Sequence, residues 1–421
     1  MAMPKTMVHA LHESASRLGH RPALWSKRNG VYLPTSWRQY ADRVRHFALG
    51  LRKLGFGPGK VMCVLAFNRE EWAVAELAAM ALGGACVGVY TTSSPEQIEF
   101  ILNHSEAPIF LVENEAYLRT VKGIRSKLRS LKHLLVMDSS AAGDGVRSYQ
   151  EILQEGAEAD ESVYWDHVNA LKEGDLAAMI YTSGTTGNPK GVMLSQKNLV
   201  FTATKLLQSS PLKFGKEVLL SYLPLSHIAE QQGSIHIPIL GGFQVYFAES
   251  LDKVPQNLRE VRPTAFFGVP RVWEKFQAKA EEGMKGVSPV QAAILERARK
   301  VTLDRHRRAL RGERVPLAVE AQYQTARRVV FEKLKQKIGF DRTEVFLTSA
   351  APIALDVLEF FASIDIIVRE IYGQSEVTGP TSVSTEEATR LGRLGMPMLG
   401  VEVKIADDGE ILVRGDNVCM G

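Results

Sequence analysis

The most constraining feature of this 421-residue sequence is the run Tyr181-Thr182-Ser183-Gly184-Thr185-Thr186-Gly187-Asn188-Pro189-Lys190-Gly191. Most of these residues are small, hydroxylated or turn-forming, and the only charged side chain is Lys190. The run follows a short apolar stretch, residues 176–180, which predicts a buried strand. Glycines let a backbone approach an oxyanion closely, hydroxyls donate hydrogen bonds, and a lysine supplies a positive charge. We therefore predict a phosphate-contacting loop at the end of a sheet strand.

The spacing of this loop differs from that of the common nucleotide-binding P-loop. In G-x-x-x-x-G-K-[ST] the lysine directly follows a glycine, whereas here Gly187 lies three residues before Lys190 and Gly191 follows it. A flexible surface turn is the alternative interpretation of any such Gly/Ser/Thr cluster.

Composition indicates a globular protein of about two or three compact units. Hydrophobic residues make up 45% of the chain and charged residues 23%, which is ordinary for a folded protein. Cys63, Cys86 and Cys419 lie far apart, without disulfide-like or metal-ligand spacing, so they indicate buried thiols in a reducing compartment. The first twenty residues lack the pattern of a secretory leader. We expect a cytoplasmic protein.

Apolar runs alternate with helical patterns between residues 61 and 137, which predicts a mainly parallel sheet covered on both faces and an α/β fold. Residues 141–162, rich in small and acidic side chains, are interpreted as a surface connection. No repeat of fixed period is evident.

Several further polar groups follow predicted strands. His227 lies in Leu223-Pro224-Leu225-Ser226-His227, Phe267 and Gly268 end an apolar strand before Val269-Pro270-Arg271-Val272-Trp273, and Ser349, Ala350 and Ala351 form a small-residue turn. Ligands of open α/β sheets bind at the carboxyl ends of strands. Each group has an ordinary interpretation as well, because a single histidine is more often structural and an aromatic stripe is more often core.

A second motif, Tyr372-Gly373-Gln374-Ser375-Glu376-Val377-Thr378-Gly379-Pro380, follows another predicted strand. An aromatic ring that can stack on adenine, a hydroxyl for a phosphate and a carboxylate for Mg²⁺ lie within five residues. This combination predicts an ATP site.

Both motifs and the LPLSH segment resemble those of the adenylate-forming enzymes, and VPRVWEK with the basic segment after it resembles the bubblegum-like long-chain fatty acyl-CoA synthetases. The resemblance implies two αβ subdomains in a layered αβαβα arrangement plus a small β-barrel. We expect the two αβ subdomains at about residues 1–170 and 171–390, part of the β-barrel at 391–421, and a basic helical insertion at 275–337.

The resemblance also implies the roles of the residues. Thr182, Lys190, His227 and Glu376 would be catalytic, with Thr182 and Glu376 holding Mg²⁺. ATP would contact Thr182, Ser183, Gly184, Thr185, Thr186, Gly187, Lys190, Ser349, Ala350, Ala351, Tyr372, Gly373, Gln374, Ser375 and Glu376. The fatty acid would contact His227, Phe267, Gly268, Thr378 and Gly379. Coenzyme A would be the thiol cosubstrate.

Two departures from the family pattern concern the acid. Long-chain enzymes that gate the acyl tunnel with an aromatic residue would place it at Gln231, and the aspartate that holds an amino-acid substrate in peptide synthetases has no counterpart in register, although Glu230 is nearby. The alternatives are an aryl or medium-chain acid ligase, a fatty acyl-AMP ligase, or a nucleotide- or lipid-binding module without catalysis.

The resemblance continues through Gly409-Glu410-Ile411-Leu412-Val413-Arg414-Gly415 and then ends, so we expect the mobile C-terminal domain with its catalytic lysine to be absent. A truncated form of this kind would bind ATP and fatty acid but turn over poorly.

Residues 275–337 contain 16 lysine and arginine residues against 7 acidic ones, whereas the whole chain carries only +4. A solvated helical face is the ordinary interpretation. Contact with an anionic membrane surface or with a polyanionic cosubstrate is the alternative. Nucleic acid is not expected as a partner, because no recognition motif accompanies the charge.

Overall fold

The structure is a computed structural model that describes residues 3–182, 188–286 and 288–421. Ser183, Gly184, Thr185, Thr186 and Gly187 of the predicted phosphate loop lie outside these residues. Within the described part of the chain, no helix is both long and apolar enough to cross a lipid bilayer.

The first part of the chain builds a seven-stranded sheet with the strand order β7-β6-β5-β3-β4-β8-β9. All neighbouring strands are parallel except β8 and β9, which form an antiparallel hairpin. The elements in chain order are α1 Met7–Leu18, β1 Pro22–Arg28, β2 Val31–Ser36, α2 Trp37–Lys53, β3 Val61–Leu65, α3 Glu70–Ala81, β4 Ala85–Gly88, α4 Pro95–His104, β5 Ile109–Val112, α5 Glu115–Ile124, β6 His133–Val136, β7 Arg147–Ser148, α6 Tyr149–Ala157, α7 Glu161–Ala170, β8 Leu176–Thr182 and β9 Lys190–Ser195.

The central strands of this sheet are buried along their whole length. Every residue of β3, β4 and β5 is buried, as expected for parallel strands with helices on both faces. Two apolar cores, one on each side of the sheet, contain alternating residues of β3: Met62 and Val64 in one, Cys63 and Leu65 in the other. The predicted α/β class is therefore confirmed.

The second part of the chain adds β10 and β11 to β1 and β2, which gives a four-stranded sheet of order β10-β11-β1-β2. It also forms a five-stranded sheet, β12-β13-β14-β15-β16, and a hairpin, β17-β18. The remaining elements are α8 Gln196–Ser209, β10 Val218–Ser221, α9 Ile228–Gln231, α10 Ile237–Gly241, β11 Gln244–Phe247, α11 Val254–Val261, β12 Ala265–Gly268, α12 Pro270–Lys285, α13 Pro289–Leu310, α14 Leu317–Ala326, α15 Glu332–Ile338, β13 Val345–Thr348, α16 Leu355–Ser363, β14 Val368–Gln374, β15 Gly379–Val383, β16 Met396–Pro397, β17 Glu402–Ile405 and β18 Ile411–Arg414. A π-helical turn, Gln232–His236, joins α9 to α10.

Strand pairing crosses the division that we expected near residue 170. Strands β8 and β9 complete the first sheet, while β1 pairs in parallel with β11 through Leu24 and Val245. A sequence pattern identifies a strand from its apolar run but does not specify its partner when the partner is more than 200 residues away.

The interpretation of residues 141–162 as a surface connection is wrong for much of this segment. Helix α6 packs against α2, and its residue Ile152 is fully buried. The two helices approach so closely that a Cβ atom on Gly156 would overlap the carbonyl oxygen of His46. Glycine thus allows a helix contact that the local composition did not indicate.

Strands β17 and β18 form a hairpin around Asp408 and Gly409, with Glu402 opposite Arg414. The expected small barrel is not formed by the described residues, in which this hairpin remains a two-stranded sheet. Closure of a barrel requires further strands to pair with both of its edges.

One buried carboxylate joins several helices of the basic insertion to the rest of the fold. Asp365, between α16 and β14, accepts hydrogen bonds from His306 Nε2 at 3.0 Å, Tyr323 Oη at 2.7 Å and Lys335 Nζ at 2.7 Å. Burial alone would raise the pKa of Asp365, but these hydrogen bonds and the charge of Lys335 outweigh it and hold the pKa well below its usual range. One anion therefore joins three helical segments, α13, α14 and α15.

A second buried carboxylate, Glu230 in α9, fixes the loop that follows β10. Its Oε1 atom accepts from Ser221 Oγ at 2.7 Å, Ser234 Oγ at 2.7 Å and Asn68 Nδ2 at 3.2 Å, and also from the backbone N–H of Tyr222 at 3.2 Å. Burial raises the pKa of Glu230 to about 7, and the hydrogen bonds from Ser221 and Ser234 limit the increase. The carboxylate thus ties the start of α3 to β10 and to the π-helical turn.

We expect Asp365→Asn to destabilise the protein by about 3 kcal/mol at pH 7, because it removes a buried anion from three donors. Asparagine tolerates the positive φ of 65° at this position, so the change isolates the charge. Because the pKa of Asp365 is depressed in the folded protein, the ionised carboxylate stabilises the fold at pH values above the unfolded-state pKa of about 3.9. This stabilisation is lost progressively as the pH falls below about 3.9. Urea unfolding at pH 7 and pH 3 checks this; equal stability of the two proteins at pH 7 would contradict it.

Glu230→Gln should change how stability depends on pH. In the folded wild-type protein Glu230 keeps a proton that the unfolded chain releases above about pH 4.3. The contribution of Glu230 to the free energy of unfolding therefore falls by roughly 3 kcal/mol as the pH rises to 7. Glutamine cannot ionise, so the variant gains stability relative to wild type over this interval. Urea unfolding of both proteins at pH 5, 6, 7 and 8 measures the difference, and a constant difference would show that Glu230 does not titrate there.

Candidate active site

One cavity of about 570 Å³ lies where the carboxyl ends of several strands meet. Residues predicted from distant parts of the sequence line it together: Thr182, Lys190, His227, Phe267, Ser349, Ala350, Gly373, Gln374, Ser375, Glu376 and Gly379. Strand ends are where open α/β sheets bind ligands, since the backbone groups there are not used by the sheet. The structure therefore brings parts of both glycine- and hydroxyl-containing motifs to the same cavity.

The hairpin of β8 and β9 presents Thr182 and Lys190 side by side. These two residues are register partners at the end of the antiparallel pair where the chain passes from β8 to β9. Ser195 caps the following helix α8, because its Oγ accepts from the Asn198 N–H at 3.1 Å. The hairpin consequently holds a hydroxyl group and an ammonium group at the cavity.

His227 is held in one tautomer by its own helix. It is the N-cap of α9, and its Nδ1 accepts from the Ala229 N–H at 3.1 Å. Burial lowers the pKa of His227, so the imidazole is neutral near pH 7. Because Nδ1 accepts, the single ring proton is on Nε2. His227 therefore offers the cavity a neutral N–H donor.

Ser375 and Glu376 lie in a short turn, Ser375–Val377, between β14 and β15. Gly373 in front of this turn allows the two strands to approach, since a Cβ atom on it would overlap the carbonyl oxygen of Gly379. Ser375 and Glu376 line the cavity together with Thr182 and Lys190.

The last residues of the chain connect this turn to the β8–β9 hairpin. Backbone N–H groups of Cys419 and Met420 donate to the carbonyl oxygens of Glu376 and Met193, at 2.8 and 2.9 Å, and the Met193 N–H donates to Gly421 at 2.9 Å. Sequence reasoning missed this segment. These bonds use main-chain atoms, which no side-chain pattern reveals.

Of the predicted site residues that the structure describes, four do not line the cavity: Gly268, Ala351, Tyr372 and Thr378. The Thr378 side chain is fully buried and donates to the carbonyl oxygen of Asn417 at 2.7 Å, and the Gly268 carbonyl accepts from Trp273 Nε1 at 3.0 Å. Tyr372 pairs with Ser382 in the sheet. The contacts of Thr378 and Gly268 within the described residues are structural.

Polar residues that the sequence analysis did not select also line the cavity, namely Gln232, Ser234 and Arg369. Gln231, at the position of the aromatic gate, instead turns away from the cavity and donates to the Leu225 carbonyl at 2.9 Å. Burial lowers the pKa of Arg369. A basic residue directly after the apolar run 366–368 was the available signal for Arg369.

The residues at the cavity fit the predicted Mg²⁺ through their chemistry. Thr182 and Glu376 supply oxygen atoms, which this cation prefers. Within residues 3–182, 188–286 and 288–421, no cluster of three or more histidine, cysteine or acidic side chains has the arrangement of a metal site. Mg²⁺ commonly takes one or two protein carboxylates and completes its shell with phosphate and water.

Comparison with known proteins matches residues 11–421 to the family described as AMP-binding enzyme. Long-chain-fatty-acid–CoA ligase ACSBG2 of Gallus gallus is 36% identical over 99% of this chain and 56% of its own length. The Xenopus laevis protein of the same name is 35% identical over 100% and 58%, and the Homo sapiens protein 32% identical over 99% and 64%. The chain thus spans about 60% of the length of these relatives.

Solved structures share the fold at lower identity. The anthranilate CoA ligase AuaEII in complex with anthranoyl-AMP superposes with a TM-score of 0.74 at 16% identity, over 100% of this chain and 70% of that one. The N-terminal domain of FACL13 from Mycobacterium tuberculosis gives 0.73 at 18%, over 99% and 90%. A long-chain-fatty-acid–CoA ligase, FadD1 from Archaeoglobus fulgidus, gives 0.74 at 20%, over 100% and 77%. With the family match along nearly the whole sequence, these findings show that the chain belongs to the AMP-binding enzyme family.

Proposed function

We propose that this chain is the nucleotide- and acid-binding part of a long-chain fatty acid:CoA ligase. The observation that carries the proposal is the single cavity lined by Thr182 and Lys190 from one motif and by Ser375 and Glu376 from the other. The ligase names of the relatives support the same conclusion. In the first half-reaction a fatty carboxylate attacks the α-phosphorus of ATP, giving acyl-AMP and pyrophosphate. In the second, the thiol of coenzyme A displaces AMP and gives acyl-CoA.

No protein nucleophile is required, because the carboxylate of the substrate itself attacks. The residues then act by positioning and by neutralising charge. Lys190, with Thr185 and Thr186, would contact the β- and γ-phosphates and Ser375 the α-phosphate. The turn Ser349 to Ala351 would contact adenine and ribose through its backbone, with Tyr372 against the base. Bound Mg²⁺, held by Glu376 and Thr182, would neutralise phosphate charge.

The fatty acid would lie between His227 and the apolar part of the cavity. His227 Nε2–H is suited to hold a carboxylate oxygen, because a neutral donor orients the anion without binding it as an ion pair. The apolar wall includes Leu206, Leu212, Leu219, Ile237, Phe266 and Phe267. Each methylene buried there would contribute about 0.8 kcal/mol.

We further propose that the 421-residue chain is a truncated form, because the relatives extend well beyond the length that it covers. The second part of such a protein would carry the lysine that neutralises the adenylation transition state. The chain alone would then bind ATP and fatty acid but turn over slowly.

Peripheral contact with an anionic membrane is proposed for the basic insertion. Val290, Ile294 and Leu317 on α13 and α14 are exposed, the last of them by 84%. Apolar side chains beside an excess of lysine and arginine are typical of helices that lie on a lipid surface.

The proposed function is tested by ATP–pyrophosphate exchange with the complete gene product over a series of acids. Saturated acids of long chain should support exchange, and addition of coenzyme A should give the thioester. Benzoate and octanoate should be at least tenfold poorer in kcat/KM, since they fill less of the apolar wall. A preference for benzoate, or the absence of exchange with every acid, would overturn the assignment.

Glu376→Gln should raise the Mg²⁺ concentration required for half-maximal exchange by at least tenfold, because an amide oxygen carries no charge for the cation. Titration of Mg²⁺ at saturating ATP and acid measures the effect. Glu387→Gln is the matched control, since Glu387 is an exposed carboxylate that does not line the cavity. An unchanged Mg²⁺ requirement in Glu376→Gln would remove Glu376 from the metal site.

A further inference from the structure

Gln232 is a buried amide at the cavity wall whose polar atoms have no hydrogen-bond partner among the residues that the structure describes. It is the first residue of the π-helical turn Gln232–His236, and only 2% of it is exposed. Neither its Oε1 nor its Nε2 atom has a partner within the part of the chain that the structure describes. Folded proteins almost always satisfy such groups, so a molecule that fills the cavity is the expected partner. π-Helical turns also occur frequently at functional sites.

The side chains next to Gln232 form hydrogen bonds that do not involve it. Glu230 accepts from Ser221 and Ser234, and Gln231 donates to the Leu225 carbonyl. None of these bonds includes the Gln232 amide. Of the two adjacent glutamines, therefore, Gln231 bonds to the scaffold, whereas Gln232 lines the cavity with both polar atoms unpaired by the described residues.

The position of Gln232 indicates which part of a ligand it meets. Its Cγ atom lies 4.0 Å from the point that a Cβ atom would occupy on Gly379, three residues after Glu376. Its backbone carbonyl accepts from the N–H of Ile237, which lines the apolar part of the cavity. It also lies on the same helical segment as His227, the proposed contact of the acid carboxylate. The Gln232 amide thus lies at the boundary between the charged part and the apolar part of the cavity.

We propose that Gln232 is a specificity-determining residue and that the preferred acid carries a hydroxyl group on a carbon close to its carboxylate. An amide presents one donor and one acceptor side by side, and a hydroxyl group both donates and accepts, so one such group satisfies both atoms. An unsubstituted alkyl chain would leave both atoms unpaired. This inference rests on the proposed acid ligase function and narrows its substrate class to hydroxy fatty acids.

Sites built to hydrogen-bond a substrate hydroxyl reject the analogue that lacks it far more strongly than apolar pockets reject an extra methylene. The expected preference is therefore large enough to measure by direct binding. Binding also avoids any dependence on turnover, which a truncated chain would lack.

The experiment compares three non-hydrolysable acyl-adenylate mimics, the sulfamoyl adenosines of dodecanoic, 2-hydroxydodecanoic and 3-hydroxydodecanoic acid. Their dissociation constants for the 421-residue chain are measured by calorimetry. We expect one hydroxy mimic to bind at least tenfold more tightly than the plain one. Gln232→Met, of similar length but without the amide, should abolish this ratio and bind the plain mimic at least as well as wild type does.

Gln231→Met is the matched control, because Gln231 is equally buried but bonds to the scaffold. It should lower the melting temperature and leave the binding ratio unchanged. Equal binding of all three mimics to wild type would overturn the inference about Gln232, while the ligase proposal would stand. If none of them bound the folded wild-type chain, the ligase proposal itself would fail. Uniform weakening of all three by Gln232→Met would assign the amide to the adenylate and also overturn the inference.

Discussion

The arrangement of the cavity depends on a few main-chain hydrogen bonds made by the last residues of the chain. Cys419 bonds to the carbonyl of Glu376, and Met420 and Gly421 bond to Met193 in β9. The first contact belongs to the turn that carries Glu376 and the second to the hairpin that carries Lys190. Two segments nearly 200 residues apart in sequence are therefore fixed relative to each other through backbone atoms. Backbone bonds of this kind resist mutation, because every residue except proline can make them.

A different kind of connection fixes the acid side of the site. The Glu230 carboxylate accepts hydrogen bonds from Asn68 before α3, from Ser221 in β10 and from Ser234 in the π-helical turn, so it links the helical segment that contains His227 and Gln232 to both neighbouring elements. A buried carboxylate costs stability when it ionises. The same position filled by an apolar residue would leave Asn68 Nδ2 and two hydroxyl groups with fewer acceptors. The network thus favours a defined geometry over maximal stability.

The sequence predicted the parts of this site whose chemistry is carried by side chains and turns at strand ends. Thr182, Lys190, His227 and Glu376 were selected in this way, and the structure brings all four to one cavity. The sequence could not predict which sheet β1 joins, since that depends on pairing across more than 200 residues. It also could not distinguish Gln231 from Gln232. A step of one residue turns a helix by about 100°, and the π-helical turn that begins at Gln232 changes the direction again.

The charge of the basic insertion is used first to attach it to the fold. Arg307 bonds to Glu359 of α16, and Lys335 bonds to Asp365, so acidic residues outside the insertion take up part of its excess charge. Arg305, Arg308 and Lys300 pair with acids inside the insertion. Exposed pairs of this kind contribute little stability each, whereas the buried Asp365 cluster contributes more. The net charge of the segment therefore overstates the charge available for contact with a membrane or a polyanion. Such a contact would use the lysines and arginines that do not form these pairs.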